Sequence, residues 1–371
     1  RSQALRKIIC RRIEHAGGWI SFEEFMQLAL HEPGLGYYAG GPAQPGSRGD
    51  FTTAPELGSL FAQCLARFAK AAIADDERRI IEIGAGSGKM LRDMAGELTG
   101  LGVEGCEYLT VDTSARLTRM QDETLAEVAG FRRLNELPQN FQGLIIANEV
   151  LDALPCRVLR REEDGWRQRG VAVDEDGSFV WQSGPEAAAA DSRRLGSRIS
   201  SPGYETEINR QAEALVTSLC ECLTDGVLLI IDYGFAAAEY YHPQRSYGTL
   251  RSYRQHRVTD DVLARAGECD LTAHIDFSAI ATAAGKAGAQ VHGFTTQAAF
   301  LLGCSFDQVF ARATAATGDD QRSLARLSAE AQTLLMPQEM GETFKVLALV
   351  KGAARTLPGF CQADRSERLD A

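Results

Sequence analysis

Nowhere does an apolar run approach the roughly 18 residues that a membrane-spanning helix needs, so no span is expected. No apolar core of the secretory kind follows the basic start either. Cysteine is scattered: of nine, only Cys220 and Cys222 lie close together, which is neither a disulfide framework nor the C-x-x-C spacing of structural zinc. Reduced thiols in a reducing, aqueous compartment are expected, with no metal site. Positive charge is not in surplus. The net charge of −11 argues against general attraction to phosphate backbones, so nucleic acid is not an expected partner. Internal repeats are absent, and 371 residues suffice for one large or two ordinary domains. The chain begins without Met, which leaves a removed targeting segment open.

What is present is Arg79-Ile-Ile-Glu-Ile-Gly-Ala-Gly-Ser-Gly-Lys-Met90, an apolar strand that ends in Gly84, Gly86 and Gly88. Glycines after a buried strand let backbone approach a ligand and turn into the next helix. Spacing separates the ligands. A dinucleotide fingerprint needs G-x-G-x-x-G, whereas the third glycine here comes one residue early. A P-loop needs glycine where Ile83 stands and Ser or Thr where Met90 stands. An acid before G-x-G-x-G, here Glu82, resembles the first motif of class I S-adenosylmethionine-dependent methyltransferases. A turn of purely structural use is the competing interpretation.

Periodicity places the rest. An amphipathic helix over 4–15 carries Leu5, Ile8, Ile9 and Ile13 on one face, either for packing or for a membrane surface. Ser21 reads as the N-cap of a helix ending at Leu30. A Gly/Pro-rich stretch over 39–47 leads into Gly49-Asp-Phe-Thr-Thr-Ala-Pro-Glu56, a candidate functional loop, then a helix over 57–73. Strands follow at 79–83, at 107–111 ending in Asp112, weakly near 131–134, and at 143–147 ending in Asn148-Glu149-Val-Leu-Asp152. Ligands gather at the carboxyl ends of parallel strands, which puts Asn148, Glu149 and Asp152 near substrate. At that position Asp112 fits a ribose-binding acid or an ordinary helix cap.

Hairpin signals fill 156–184, a connection low in large apolar residues spans 187–201, and a helix over 207–223 feeds a strand at 226–231. The aromatic stretch 240–256 is too long for a simple connection and reads as a lid. A small-residue helix over 278–286, a last strand at 344–350 and a polar tail complete the pattern. The domain expectation is a helical region 1–74 with a cofactor-covering loop, a core 75–155, inserted hairpins 156–206, the rest of the core 207–352 with a lid or substrate region 235–277, and a tail 353–371.

Several stretches together resemble the MidA-like methyltransferases, whose mitochondrial members assist assembly of respiratory complex I. They are Gly34-Leu-Gly-Tyr-Tyr38, the 49–56 loop, Glu82 to Gly88, Asn148 to Pro155, Ile231-Asp-Tyr-Gly234, Gly248-Thr-Leu-Arg251 and Asp270-Leu-Thr-Ala-His-Ile-Asp-Phe277, in the family's order. Family members often carry Pro and Arg where Ala85 and Ser87 stand. The resemblance implies a class I, Rossmann-like α/β fold with a doubly wound, mostly parallel sheet. It implies S-adenosyl-L-methionine as cofactor and a protein arginine as acceptor, on a complex I subunit or its bacterial counterpart. The compartment would be the cytoplasm of a bacterium or the mitochondrial matrix.

By that resemblance Gly84, Ala85, Gly86 and Gly88 approach the methionine part with Glu82 near its ammonium group, Asp112 takes the ribose hydroxyls, and Asn148 joins the cofactor contacts. Thr53 and Pro55 close over the same pocket. An arginine acceptor stays charged and pairs best with carboxylates. Glu149 is the first candidate for that clamp, with Asp152 or Glu56 as second acid. His274, flanked by Asp270 and Asp276, would accept or relay the released proton, or else fix a loop. Tyr37 and Tyr38 line the acceptor channel or simply pack. A small-molecule methyltransferase and a cofactor-binding assembly scaffold remain as rivals; a base-methylating enzyme does not, because Asn148 lacks the following prolines and aromatic that a flipped base would need.

Overall fold

Continuous apolar runs such as Leu144-Ile145-Ile146 and Val227 to Ile231 suit strands covered on both faces, and they form the middle of the main sheet. In the computed structural model, which describes residues 1–40, 53–75, 77–196, 198–199, 201–254 and 257–370, the chain divides into two units. One comprises 52–150, 215–234 and 277–371. The other comprises 1–51, 151–214 and 235–276.

In the first unit the strands run in the order Gln290–Thr296, Phe344–Lys351, Leu223–Phe235, Phe141–Asn148, Arg79–Ile83, Glu107–Val111, Phe131–Leu134. The last five are mutually parallel and the first two antiparallel to their neighbours. This is the mostly parallel sheet that the resemblance implies. From Arg79–Ile83 the chain steps outward twice, then returns to the other side with Phe141–Asn148. The order therefore reverses between these two strands, the place where open α/β sheets bind ligands. Register levels their ends: Ile83 lies opposite Val111 and Ala147, and Asn148 opposite Ile231. Helix Leu60–Ala72 packs Phe61, Leu65 and Phe68 into a core with Ile80, Leu91, Ile146 and Leu229. Its Ser59 makes no side-chain cap; instead the Leu60 amide donates to Glu330 Oε1 at 2.7 Å, from helix Gln321–Leu335.

In the second unit Trp166–Val173 pairs with Ile20–Ser21, Arg157–Arg161 and Phe179–Glu186, and Glu205–Ile208 extends the sheet. The expected hairpins are there. Asp174 Oδ1 accepts from the Ser178 amide at 2.6 Å, and Gly177 takes φ +81° to close the turn. Leu5, Ile9 and Ile13 of helix Ser2–His15 are buried with Phe22 and Phe25, so the basic helix is a packing helix. Ser21 Oγ accepts from the Glu24 amide at 3.1 Å as the N-cap. A smaller sheet joins Arg251–Arg254 to Arg257–Thr259 and Asp270–Thr272.

Three expectations change. The connection over 187–201 contains helix Ala189–Gly196, anchored by buried Asp191, which pairs with Arg157 and Arg210, and by Leu195, buried in a cluster with Leu159 and Trp166. The helix expected from residue 207 starts at Arg210, because Glu207 belongs to a strand opposite Val158, and Asn209 Oδ1 caps the Ala212 amide at 2.9 Å. The polar tail carries Leu357 and Phe360 into the core and ends in a 3-10 helix, Ser366–Asp370. The 49–52 part of the Gly49 to Glu56 loop, most of the Gly/Pro-rich stretch and residues 255–256 of the lid lie outside the described residues.

Candidate active site

The glycine turn sits at the sheet's reversal point because its backbone demands glycine. Gly84, Gly86 and Gly88 take φ of +62°, +53° and +80°, where a side chain is strained. The turn is tied down by Gly84 N to Val111 O at 2.9 Å and Gly88 N to Ala85 O at 2.8 Å. A Cβ on Gly86 would meet nothing within 4 Å, so its backbone borders open space. Ala85 is buried. Lys89 turns away from a P-loop role: its ammonium binds the Gly58 carbonyl and, at 2.6 Å, Asp93.

Carboxyl groups gather around this turn. Glu82 is 4% exposed, and burial, together with the nearby acids Asp112 and Glu56, pushes its pKa up to about 8 against the pull of the Leu91 amide. Glu56 accepts from Ser87 Oγ at 2.5 Å, which places it on the loop itself. Asp112 accepts from the Ser114 amide at 2.8 Å and from Gln121 Nε2 at 3.0 Å, while burial raises its pKa. Among the described residues, Glu82 Oε2, Gln121 Oε1 and Asn148 Oδ1 are buried with no hydrogen-bond partner. Buried acceptors without donors are costly. Unpaired acceptors of this kind fit a ligand that brings an ammonium group and hydroxyls.

Asn148 ends the Phe141–Asn148 strand and donates through Nδ2 to Glu149 Oε1 at 3.3 Å. Glu149 has φ +53°, a left-handed backbone rare for a non-glycine residue, and its amide donates to Ile231 O at 2.9 Å. Strain of this kind clusters at functional sites. Thr53 occupies the N-cap position of the short helix Ala54–Leu57 without a capping hydrogen bond, and Pro55 is buried in its first turn. Thus Glu56, Glu82, Gly84 to Gly88, Asp112, Asn148 and Glu149 all belong to one unit and, Glu56 apart, to the leading edge of its parallel strands.

Asp152 and His274 belong to the other unit. Asp152 is 5% exposed, and its carbonyl accepts from the Ala273 amide at 3.0 Å. Asp270, also buried, accepts from the Tyr38 hydroxyl at 2.8 Å, and both aspartates act electrostatically on Tyr38 and Tyr253. Of the tyrosine pair, Tyr37 is wholly buried in the core, whereas Tyr38 belongs to this acidic group. His274 is half-buried with its ring 5.4 Å from that of Phe235. Its neighbour in sequence Asp276 is engaged by Arg194 and, at 2.9 Å, by the Tyr241 hydroxyl. Gln121, the Glu207 carboxyl and the pairing of Tyr38 with Asp270 escaped sequence reasoning, since each acts on residues distant in the chain.

A family model described as "Putative S-adenosyl-L-methionine-dependent methyltransferase" matches residues 57–295. The mitochondrial protein arginine methyltransferase NDUFAF7 of Danio rerio is 27% identical over 95% of this chain and 89% of its own length. Its human counterpart is 26% identical, with coverages of 90% and 80%. A solved protein from Burkholderia thailandensis, bound to S-adenosyl-homocysteine, is 41% identical and superimposes with a TM-score of 0.94 over 99% of this chain and 96% of its own. The fold is that of the class I methyltransferases. With the family model extending over more than half of its residues, the chain belongs to this family of methyltransferases, whose cofactor is S-adenosyl-L-methionine.

Proposed function

We propose that the protein methylates arginine side chains of another protein, and that the acceptor belongs to a respiratory complex I subunit or its bacterial counterpart. The observation that carries this reading is Glu149, an acid held on a strained backbone at the end of a central parallel strand, beside the glycine turn's own sheet. The curated relatives' names, protein arginine methyltransferase, support it. The compartment then follows the source cell, bacterial cytoplasm or mitochondrial matrix.

Bound S-adenosylmethionine supplies a methyl carbon already made electrophilic by the sulfonium and departs as S-adenosylhomocysteine. The protein's task is therefore alignment and charge placement. Glu82 ionises against the cofactor's ammonium group, Asp112 accepts from the ribose hydroxyls, and the amides and carbonyls of Gly84 to Gly88 border the methionine part, with Ala85, Asn148, Thr53 and Pro55 closing the set. Glu149 pairs with the acceptor guanidinium and Asp152, three residues on, supplies the second carboxylate; Glu56, engaged by Ser87, serves the loop instead. Fixing the positive charge on the far nitrogens leaves electron density on the one that attacks the methyl carbon. As the new N–C bond forms and the C–S bond breaks, the attacking nitrogen's surplus proton passes to His274.

The test is incubation with methyl-labelled cofactor and a cell extract, followed by hydrolysis of the labelled protein. Methylarginine is the expected product. Label confined to small molecules, or to another amino acid, would overturn the arginine reading, and an inert extract with a stable co-purifying partner would favour the scaffold.

A further inference from the structure

Glu207 is 2% exposed, yet nothing in the proposed chemistry uses it. Its carboxyl collects donors from one short turn: the Thr249 amide at 2.9 and 3.1 Å, the Leu250 amide at 3.2 Å and the Thr249 hydroxyl at 3.0 Å. The Tyr240 hydroxyl adds a fourth group at 3.3 Å. The two amides can only donate, so the turn holds the carboxyl as an acceptor and offsets part of the upward push that burial gives its pKa. The turn is the Gly248-Thr-Leu-Arg251 stretch singled out in the sequence. Gly248 has φ +69°, and a Cβ there would lie 2.1 Å from Glu207 Oε1. Glycine is needed both for the backbone and for the approach of the carboxylate.

The same groups hold His274. Its amide donates to Thr249 Oγ1 at 3.0 Å, and its carbonyl accepts from the Tyr240 hydroxyl at 3.2 Å. Thr249 thus passes one hydrogen bond on to Glu207 while receiving another from His274, and such chains strengthen one another. Tyr240 has one proton and two acceptors, Glu207 Oε2 and His274 O. Both backbone polar groups of His274 are therefore one hydroxyl away from a single buried carboxylate.

We infer that Glu207 is the positioning residue for His274, holding that histidine's backbone through Thr249 and Tyr240 so that its imidazole meets the methyl acceptor. This rests on His274 as the proton acceptor, and the experiment separates the two claims. With only six histidines in the chain, the His274 imidazole resonances are assignable in the intact protein by their loss in His274→Ala. In Glu207→Gln, an amide nitrogen faces donors; the His274 resonances are expected to move, and kcat to fall about tenfold or more, the scale of a small misplacement. Cofactor KM should stay within about twofold, since that binding set lies in the other unit. Thr249→Val, which removes only the linking hydroxyl, should reproduce the shift if Glu207→Gln fails to fold, and Glu207→Asp should recover part of kcat. Unmoved His274 resonances in both variants, or equal loss of kcat and cofactor binding, would overturn the inference. Undiminished turnover in His274→Ala would overturn the histidine's chemical role, and the resonance shifts would then decide the structural coupling alone.

Discussion

Gln121 reaches back from helix Ala115–Thr124 to hold the Asp112 carboxyl at 3.0 Å, and the same Nε2 donates to the Gly86 carbonyl at 3.2 Å. One buried amide thereby couples the acid after the second parallel strand to the glycine turn after the first. Replacing it with leucine keeps the volume and removes the coupling. Gln121→Leu should weaken S-adenosyl-homocysteine binding by about tenfold, the worth of a hydrogen bond to a charged group at roughly 1.5 kcal/mol. Calorimetric titration measures it, and unchanged affinity would show that the turn holds itself.

Glu82 makes cofactor binding a proton-linked event. Its pKa of about 8 leaves it largely protonated at pH 7 in the free protein, and an ammonium ligand favours the ionised form. Binding at pH 7 should release a proton, seen as a dependence of the calorimetric heat on buffer ionisation enthalpy, and affinity should rise with pH up to about 8. Glu82→Gln should abolish the release and weaken binding about 10- to 100-fold. Release that survives the substitution would show that a group other than Glu82 carries the proton.

The same group governs stability of the free protein. Because its folded pKa lies above the unfolded value of 4.5, the native state binds more protons between them, so Glu82's contribution is present in full below about pH 4.5 and is lost as pH rises through 8. Glu82→Gln should therefore gain on the wild type in Tm between pH 6 and pH 9. A constant difference across that range would mean that the carboxyl titrates normally.

Glu149 sets function against stability. At φ +53° a glycine is relaxed, and relief of strain of about 1–3 kcal/mol exceeds the added chain entropy of roughly 0.5–1 kcal/mol. Glu149→Gly should melt no lower than wild type while turnover falls about a hundredfold. A Tm several degrees lower would show that the side chain's own contacts outweigh the strain.

Away from the site, Glu330 replaces the missing cap of helix Leu60–Ala72. Glu330→Ala should cost about 1–2 kcal/mol. Gly58→Ala should cost more than a surface exchange, since its Cβ would stand 1.8 Å from Glu330 Oε2. Denaturant unfolding of both variants decides this, and a neutral Gly58→Ala would mean that the Glu330 side chain can swing aside.

The parallel strands and the glycine turn were legible because each is contiguous: Ile80-Ile81, Leu144 to Ile146 and Val227 to Ile231 announce burial in a few residues, and Gly84, Gly86 and Gly88 announce the turn. The register that levels Asp112, Asn148 and Glu149 follows from those strands. What stayed hidden is polar and long-range. Glu330 meets Leu60 across 270 residues and Tyr38 meets Asp270 across 232, and neither end carries a local pattern. Glu207 reads as helical because it leads into the amphipathic pattern of 210–222, whereas pairing with Arg157–Arg161, distant in the chain, keeps it in a strand.

The chain passes from one unit to the other at 51/52, 150/151, 214/215, 234/235 and 276/277. Four of these crossings fall within or beside the stretches that carry the family resemblance: after Phe51, between Glu149 and Asp152, after Gly234 and after Asp276. Neither unit is thus a continuous piece that could be expressed, exchanged or inherited by itself. A cut at any of the three inner crossings leaves fragments that each hold incomplete parts of both units, and a cut at either outer one still splits one unit, so the protein is divisible in space but not along its gene.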